Sequence, residues 1–270
     1  MATKDLRITL VQASLQWEDV KGNLQMFSNQ FNKLNRNETD LIILPEMFST
    51  GFSMNAASLA ERMDGISMQW MAETAAKLNA AICGSLIITE KKKYFNRFVW
   101  MNADGTYDYY DKRHLFRMGK ENGIYTVGKK RLIINYKGWN ICPMVCYDLR
   151  FPVWSRNGLN AQNDAPLYDL LLYVANWPSV RSYAWRQLLI ARAIENQCYV
   201  AGVNRVDNDG NGMEHTGDSA VLNPKGEYLL KLNPGKKQLA TAILSFKELE
   251  GFRKIFPVML DADKYRFLMS

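Results

Sequence analysis

Histidine is nearly absent from this chain of 270 residues: only His114 and His215 occur, far apart, and no H-x-x-x-H or C-x-x-C pair accompanies them. A zinc site is therefore not expected. Cysteine is sparse too. Cys83, Cys142, Cys146 and Cys198 lie in apolar runs such as AAICGSLII and NICPMVCYD, without the dense spacing of a secreted scaffold, and read as reduced thiols of a cytoplasmic protein. Cys142 and Cys146 would share one face of a strand but stand about 13 Å apart by strand rise, too far for a disulfide or a shared metal. No window approaches 18 uninterrupted apolar residues, and Asp5 precedes only a very short apolar stretch, so neither a membrane span nor a signal peptide is expected. The Walker and G-x-S-x-G patterns are missing, and Gly210-Asn211-Gly212 lacks the third glycine and the preceding strand of a dinucleotide site. No metal and no organic cofactor is indicated.

What is present is ordinary for a globular domain, 47% hydrophobic and 23% charged. A chain of this length buries roughly 75% of its unfolded surface, so its core needs no metal or disulfide staple. The formal charge of +7 raises the question of an anionic partner. It is thinly spread, however. Its two clusters, Lys91-Lys92-Lys93 and Lys129-Lys130-Arg131, fall between apolar runs where solvated turns belong, and no nucleic-acid-binding pattern joins them. Neither nucleic acid nor membrane is expected as a partner.

No repeat or Pro-rich linker divides the chain. Short runs rich in Ile, Val and Leu predict strands at 6–11, 40–44, 81–88, 97–101, 132–136, 140–145, 169–175 and 199–203, several apolar on both faces and hence buried. Helical spacing joins Leu24, Phe27, Phe31 and Leu34, then Trp70, Met71, Ala75 and Leu78, then Trp185, Leu188, Leu189, Arg192 and Ile194. Ala103-Asp104-Gly105 and Asn223-Pro224-Lys225-Gly226 predict hairpin turns, and the tail after Phe246 reads as a peripheral helix. The order gives a mixed sheet, or two sheets, with helices outside.

Three places break local rules. Glu46 follows the apolar run Leu41 to Leu44, as either a solvent-facing loop residue or a desolvated carboxylate able to take a proton near neutral pH. Lys112 lies in the dense cluster Tyr109 to Phe116, as a surface charge or a catalytic cation. Cys146 ends the run Ile141 to Val145 and enters a turn of aromatic and charged groups, as an inert buried thiol or an aimed nucleophile. A free thiol is only about 3% ionised at pH 7 and needs a partner. Together the three offer a nucleophile, a base, and a cation that can stabilise an oxyanion beside a backbone N–H of the Cys146 turn.

LPEMF with Glu46, YDKRHLF with Lys112 and VCYDLRFP with Cys146 resemble, in that order, the Glu-Lys-Cys set of the nitrilase superfamily of carbon–nitrogen hydrolases. The resemblance covers Asp5 to Phe246 and continues through YVANWPSVR, ARAIENQCYVAGVNR and GDSAVLNPKG. It implies an α+β fold, the four-layer α-β-β-α sandwich, over a domain at 5–248 with a C-terminal extension at 249–270, and a homodimer or larger homo-oligomer. EMFSTGFSM, DKRHLFRMGKE and CYDLRFPVWSRN look most like its bacterial omega-amidase branch. That branch implies release of ammonia from 2-oxoglutaramate or 2-oxosuccinamate through a thioester. Glu121 matches the family's second glutamate near the lysine, and the Tyr147 N–H its oxyanion donor. Arg150 either binds the substrate carboxylate or pairs internally with Asp148 or Glu195, and Phe116, Met118 and Trp177 are expected as apolar walls. The alternatives are cleavage of another amide, such as an N-carbamoyl amino acid or deaminated glutathione, and a non-catalytic binding protein on the same fold.

Overall fold

The computed structural model describes residues 5–160 and 165–263. In chain order it runs β1 (Leu6–Gln12), α1 (Val20–Phe31), β2 (Leu41–Ile43), α2 (Ala56–Leu59), α3 (Ile66–Leu78), β3 (Ala81–Glu90), β4 (Lys93–Met101) and β5 (Tyr107–Asp111). There follow β6 (Ile134–Tyr136), β7 (Trp139–Val145), α4 (Pro152–Ser155), β8 (Leu170–Ala175), α5 (Ser182–Asn196), β9 (Tyr199–Asn204), β10 (Ala220–Leu222), β11 (Tyr228–Lys231), β12 (Gln238–Leu244) and α6 (Phe246–Ile255).

Two six-stranded sheets result, ordered β12-β1-β2-β3-β4-β5 and β11-β10-β9-β8-β7-β6. Each has a parallel centre, β1-β2-β3 in one and β7-β8-β9 in the other, flanked by antiparallel strands. The strand period of two sorts side chains between layers. Leu6, Ile8 and Leu10 of β1, Leu41 and Ile43 of β2, and Phe98 and Trp100 of β4 share one core with Ile141, Met144, Leu170 and Val200 of the second sheet. The intervening Val11, Ile42, Ile82 and Val99 instead meet Phe27 and Phe31 of α1 and Met68, Met71 and Ala75 of α3. On the far side Trp185, Leu189 and Ala193 of α5 close the second sheet. The layers are thus α-β-β-α, and β2 and β8 read as unbroken apolar runs because both their faces are covered.

Both hairpins form: Met101 pairs with Tyr107 and Leu222 with Tyr228. Lys91 and Lys92 make the turn between β3 and β4. Two expectations on helix faces fail. Leu34 lies past the end of α1, and Ile194 is 51% exposed because nine positions at 100° per residue carry it to the face opposite Trp185. The tail helix forms as α6, buries Leu249, and runs through the boundary drawn at 248. Among the described residues no helix is long and apolar enough to cross a membrane.

Candidate active site

The strand ends, rather than the strands, carry the polar residues. Glu46 follows β2, Cys146 follows β7 and Asn176 follows β8, all at the carboxyl ends of parallel strands, where open α/β sheets bind ligands. Beyond β2 the chain stays tied to β3, with the Leu44 N–H donating to the Cys83 carbonyl (2.8 Å) and the Met47 N–H to Ser85 Oγ (2.8 Å). Met47 itself takes a left-handed φ of 43°. Glu46 between them is fully buried.

Every carboxylate oxygen of Glu46 is matched. Oε1 accepts from Lys112 Nζ (2.9 Å) and Asn96 Nδ2 (2.7 Å), and Oε2 from the Asn176 N–H (2.8 Å). Asn176 Nδ2 donates in turn to the Glu46 carbonyl at 2.6 Å. Lys112 lies just past β5, where its own N–H donates to the Asn96 carbonyl (3.0 Å). Its ammonium also reaches both oxygens of Glu121, at 3.0 and 2.9 Å. Glu121 comes from a 3-10 turn and further accepts from the Phe116 N–H (2.6 Å) and Asn96 Nδ2 (3.0 Å).

Two buried carboxylates thus surround one buried ammonium. Burial alone would make Lys112 easier to deprotonate, but the charges of Glu121 and Glu46 outweigh it and push its pKa up. Burial likewise raises Glu121, against the pull of Lys112 and with the push of Glu46. Cys146 opens a 3-10 turn, Cys146–Arg150, at a left-handed φ of 44° unusual for a side-chain-bearing residue. Burial first, and then the negative charge of Glu46, hold its thiol well above the ordinary cysteine range, with Lys112 pulling the other way. The resting sulfur is a neutral thiol beside a carboxylate.

The turn is braced from behind. Asp148, fully buried, accepts from the Val145 N–H (3.0 Å), the His114 N–H (2.9 Å), Tyr110 Oη (2.8 Å) and His114 Nδ1 (2.7 Å). One carboxylate therefore ties the Cys146 turn to the segment that carries Lys112. His114 also stacks on Phe151 at 3.7 Å between ring centroids, and so serves this brace.

In front of Cys146 and Lys112 opens a cavity of about 500 Å³, also lined by Tyr147, Phe116, Met118, Arg150 and Trp177. Trp177 is buried, Phe116 half-buried, and Met118, though in the lining, is 74% exposed. Tyr147 is the second residue of its turn, so its N–H belongs to the groups such a turn leaves unsatisfied. Arg150 does not take the internal pairing considered for it. Asp148 is saturated by the four donors above, Glu195 pairs with Arg192 (2.9 Å), and Arg150 instead extends over the Trp177 ring, 5.1 Å from its centroid. Among the described residues no cluster of His, Cys, Asp or Glu is placed to hold a metal.

Asn96, Asn176 and the cavity-lining Arg181 were not singled out from the sequence, and Asp148 was weighed only as a partner for Arg150. Only Asn96 left a signal, as a polar residue in the strand KYFNRFVWM.

The sequence pattern of the carbon-nitrogen hydrolase family matches residues 7–254. An omega-amidase, YafV, from Escherichia coli K12 is 47% identical over 261 residues, covering 97% of this chain and 98% of its own. A 2-oxoglutaramate amidase of Bacillus subtilis is 31% identical, covering 83% and 85%. Among solved structures, a CN-hydrolase superfamily protein from Xanthomonas campestris, described with an arsenic adduct in its active site, superimposes with a TM-score of 0.95 at 46% identity, covering 97% and 99%.

Proposed function

The chain belongs to the carbon–nitrogen hydrolase family and is a hydrolase of amide carbon–nitrogen bonds, and from that premise we propose that it is an omega-amidase, converting 2-oxoglutaramate or 2-oxosuccinamate to the 2-oxo dicarboxylate and ammonia. The observation that carries the reading is the buried Lys112 ammonium held 2.9 Å from both Glu46 and Glu121 at the cavity that Cys146 opens into. Near-complete alignment with a protein named omega-amidase supports the substrate class.

Cys146 Sγ attacks the amide carbon while Glu46 takes the thiol proton, which the raised thiol pKa keeps in place until attack. An ammonium has three donors. With one on Glu46 and one shared by the two Glu121 oxygens, the third is left for the developing oxyanion, beside the Tyr147 N–H. Glu46 returns its proton to the leaving nitrogen, ammonia departs, and a water deprotonated by Glu46 cleaves the thioester. Arg150 meets the substrate carboxylate, with Phe116 and Trp177 as walls. Glu121 acts through Lys112 as a positioning residue.

We draw the domain as 5–248 with a C-terminal extension at 249–270, α6 bridging the two. The four free thiols support a cytoplasmic location. The family resemblance supports a homodimer or larger homo-oligomer, and light scattering at a single-chain mass would reject it.

Ammonia release across omega-amides, N-carbamoyl amino acids, deaminated glutathione and nitriles tests the reading. The expected result is highest kcat/KM on 2-oxoglutaramate, abolished in a folded Cys146→Ala protein. A preference for carbamoyl amino acids would move the enzyme to another amidase activity, and no release from any amide would leave a binding protein.

A further inference from the structure

Two guanidinium groups in the active-site cavity have aromatic rings beneath them and, among the described residues, no anion paired with them. Arg150 lies over Trp177 with Cζ 5.1 Å from the ring centroid, and Arg181, just before α5, lies over Phe116 at 5.5 Å. Both line the cavity with Cys146 and Lys112. Among the described residues neither forms an ion pair, and the two carboxylates on the same lining are engaged elsewhere. Glu18 accepts from Ser53 Oγ (2.5 Å) and Asn55 Nδ2 (3.3 Å), while Asp209 Oδ1 accepts from the N–H groups of Asn211 (2.8 Å) and Met213 (2.9 Å). Lys112, the remaining full cation of the lining, is held by Glu46 and Glu121.

An aromatic face attracts a guanidinium without using its N–H donors, which lie at the edge of the planar group. An arginine held by its face and empty at its edge is prepared for a carboxylate, which it meets with two parallel hydrogen bonds. Trp177 couples the two arginines. Its ring underlies Arg150, and its indole N–H donates to the Arg181 carbonyl at 2.8 Å.

We propose that Arg181 is a specificity-determining residue which, together with Arg150, binds the carboxylate of an amide acid whose scissile amide lies at Cys146. Resting on the amidase reading for the reaction, this adds a second cation and a reason for selectivity. A neutral amide would strip water from two guanidiniums and replace none of their hydrogen bonds, so it is disfavoured even where it fits.

The test measures kcat and KM for 2-oxoglutaramate, succinamate and propionamide on wild type, Arg181→Gln and Arg181→Lys proteins with matched melting temperatures. In Arg181→Gln the ratio of kcat/KM for succinamate to that for propionamide should fall about 10- to 100-fold, as loss of a charged hydrogen bond implies, with the change in KM rather than kcat. Arg181→Lys should recover part of it by restoring charge without the planar fork. An unchanged ratio, or a fall confined to kcat, would overturn the proposal. The omega-amidase reading fails separately, if wild type prefers N-carbamoyl amino acids. Those also carry a carboxylate, and a raised KM for them in Arg181→Gln would uphold the role of Arg181 all the same.

Discussion

His215 lines the cavity, yet only 3% of it is exposed. Burial first, and then the positive charge of Arg205, push its pKa down to about 4. An unfolded histidine binds its proton near 6.5. Between about 6.5 and about 4 the unfolded chain therefore holds a proton that the folded one refuses, and stability falls as pH drops through that window. Melting curves should show wild type losing more stability than His215→Gln on going from about pH 7 to about pH 4. A constant offset between the two would contradict the shift. Cys146 and Met47 have left-handed backbones, which cost of order 1–3 kcal/mol each and persist where surroundings over-determine them. Around Cys146 that determination comes from the Asp148 bond to the Val145 N–H, and around Met47 from Ser85.

Gly84 of β3 shows how an element sets a side chain it does not carry. A Cβ there would come within 2.8 Å of Phe48 Cδ1 and 2.9 Å of Leu44 Cβ, the residues either side of the Glu46 segment. Gly84→Ala should lower stability by about 1–3 kcal/mol, as overpacking does, and lower kcat by displacing Glu46. Denaturation midpoints and turnover equal to wild type would show that the segment has slack. Strands with two covered faces, such as β2 and β8, were legible because nothing polar interrupts them. The edge strand β12 was not, since its half-exposed QLATAIL carries no unbroken apolar run and its partner β1 lies at the other end of the chain. Glu46, Lys112 and Cys146 drew attention because each breaks a local pattern. Asn176 has meaning only through Glu46, 130 positions away, and Arg181 only through a ring contributed by Phe116, so neither could be weighed locally.

Across the whole molecule, the site exists only where the sheets meet. Glu46, Asn96 and Lys112 come from the first sheet and its connections, Cys146 and Asn176 from the second, and the hydrogen bonds between Glu46 and Asn176 cross the sandwich. Packing desolvates the carboxylates and ammonium together, so removing Lys112 alone would leave buried charge uncompensated. The net charge of +7 adds a weak field favouring anionic substrates, screened at high salt. The proposed route of amide cleavage runs through an acyl group on Cys146. Rapid acid quenching of the enzyme during turnover of 2-oxoglutaramate, followed by peptide mass mapping, tests it most directly. The expected result is a mass gain of substrate minus ammonia on the peptide carrying Cys146; an unmodified Cys146 peptide, or an acyl group on another residue, would rule that route out.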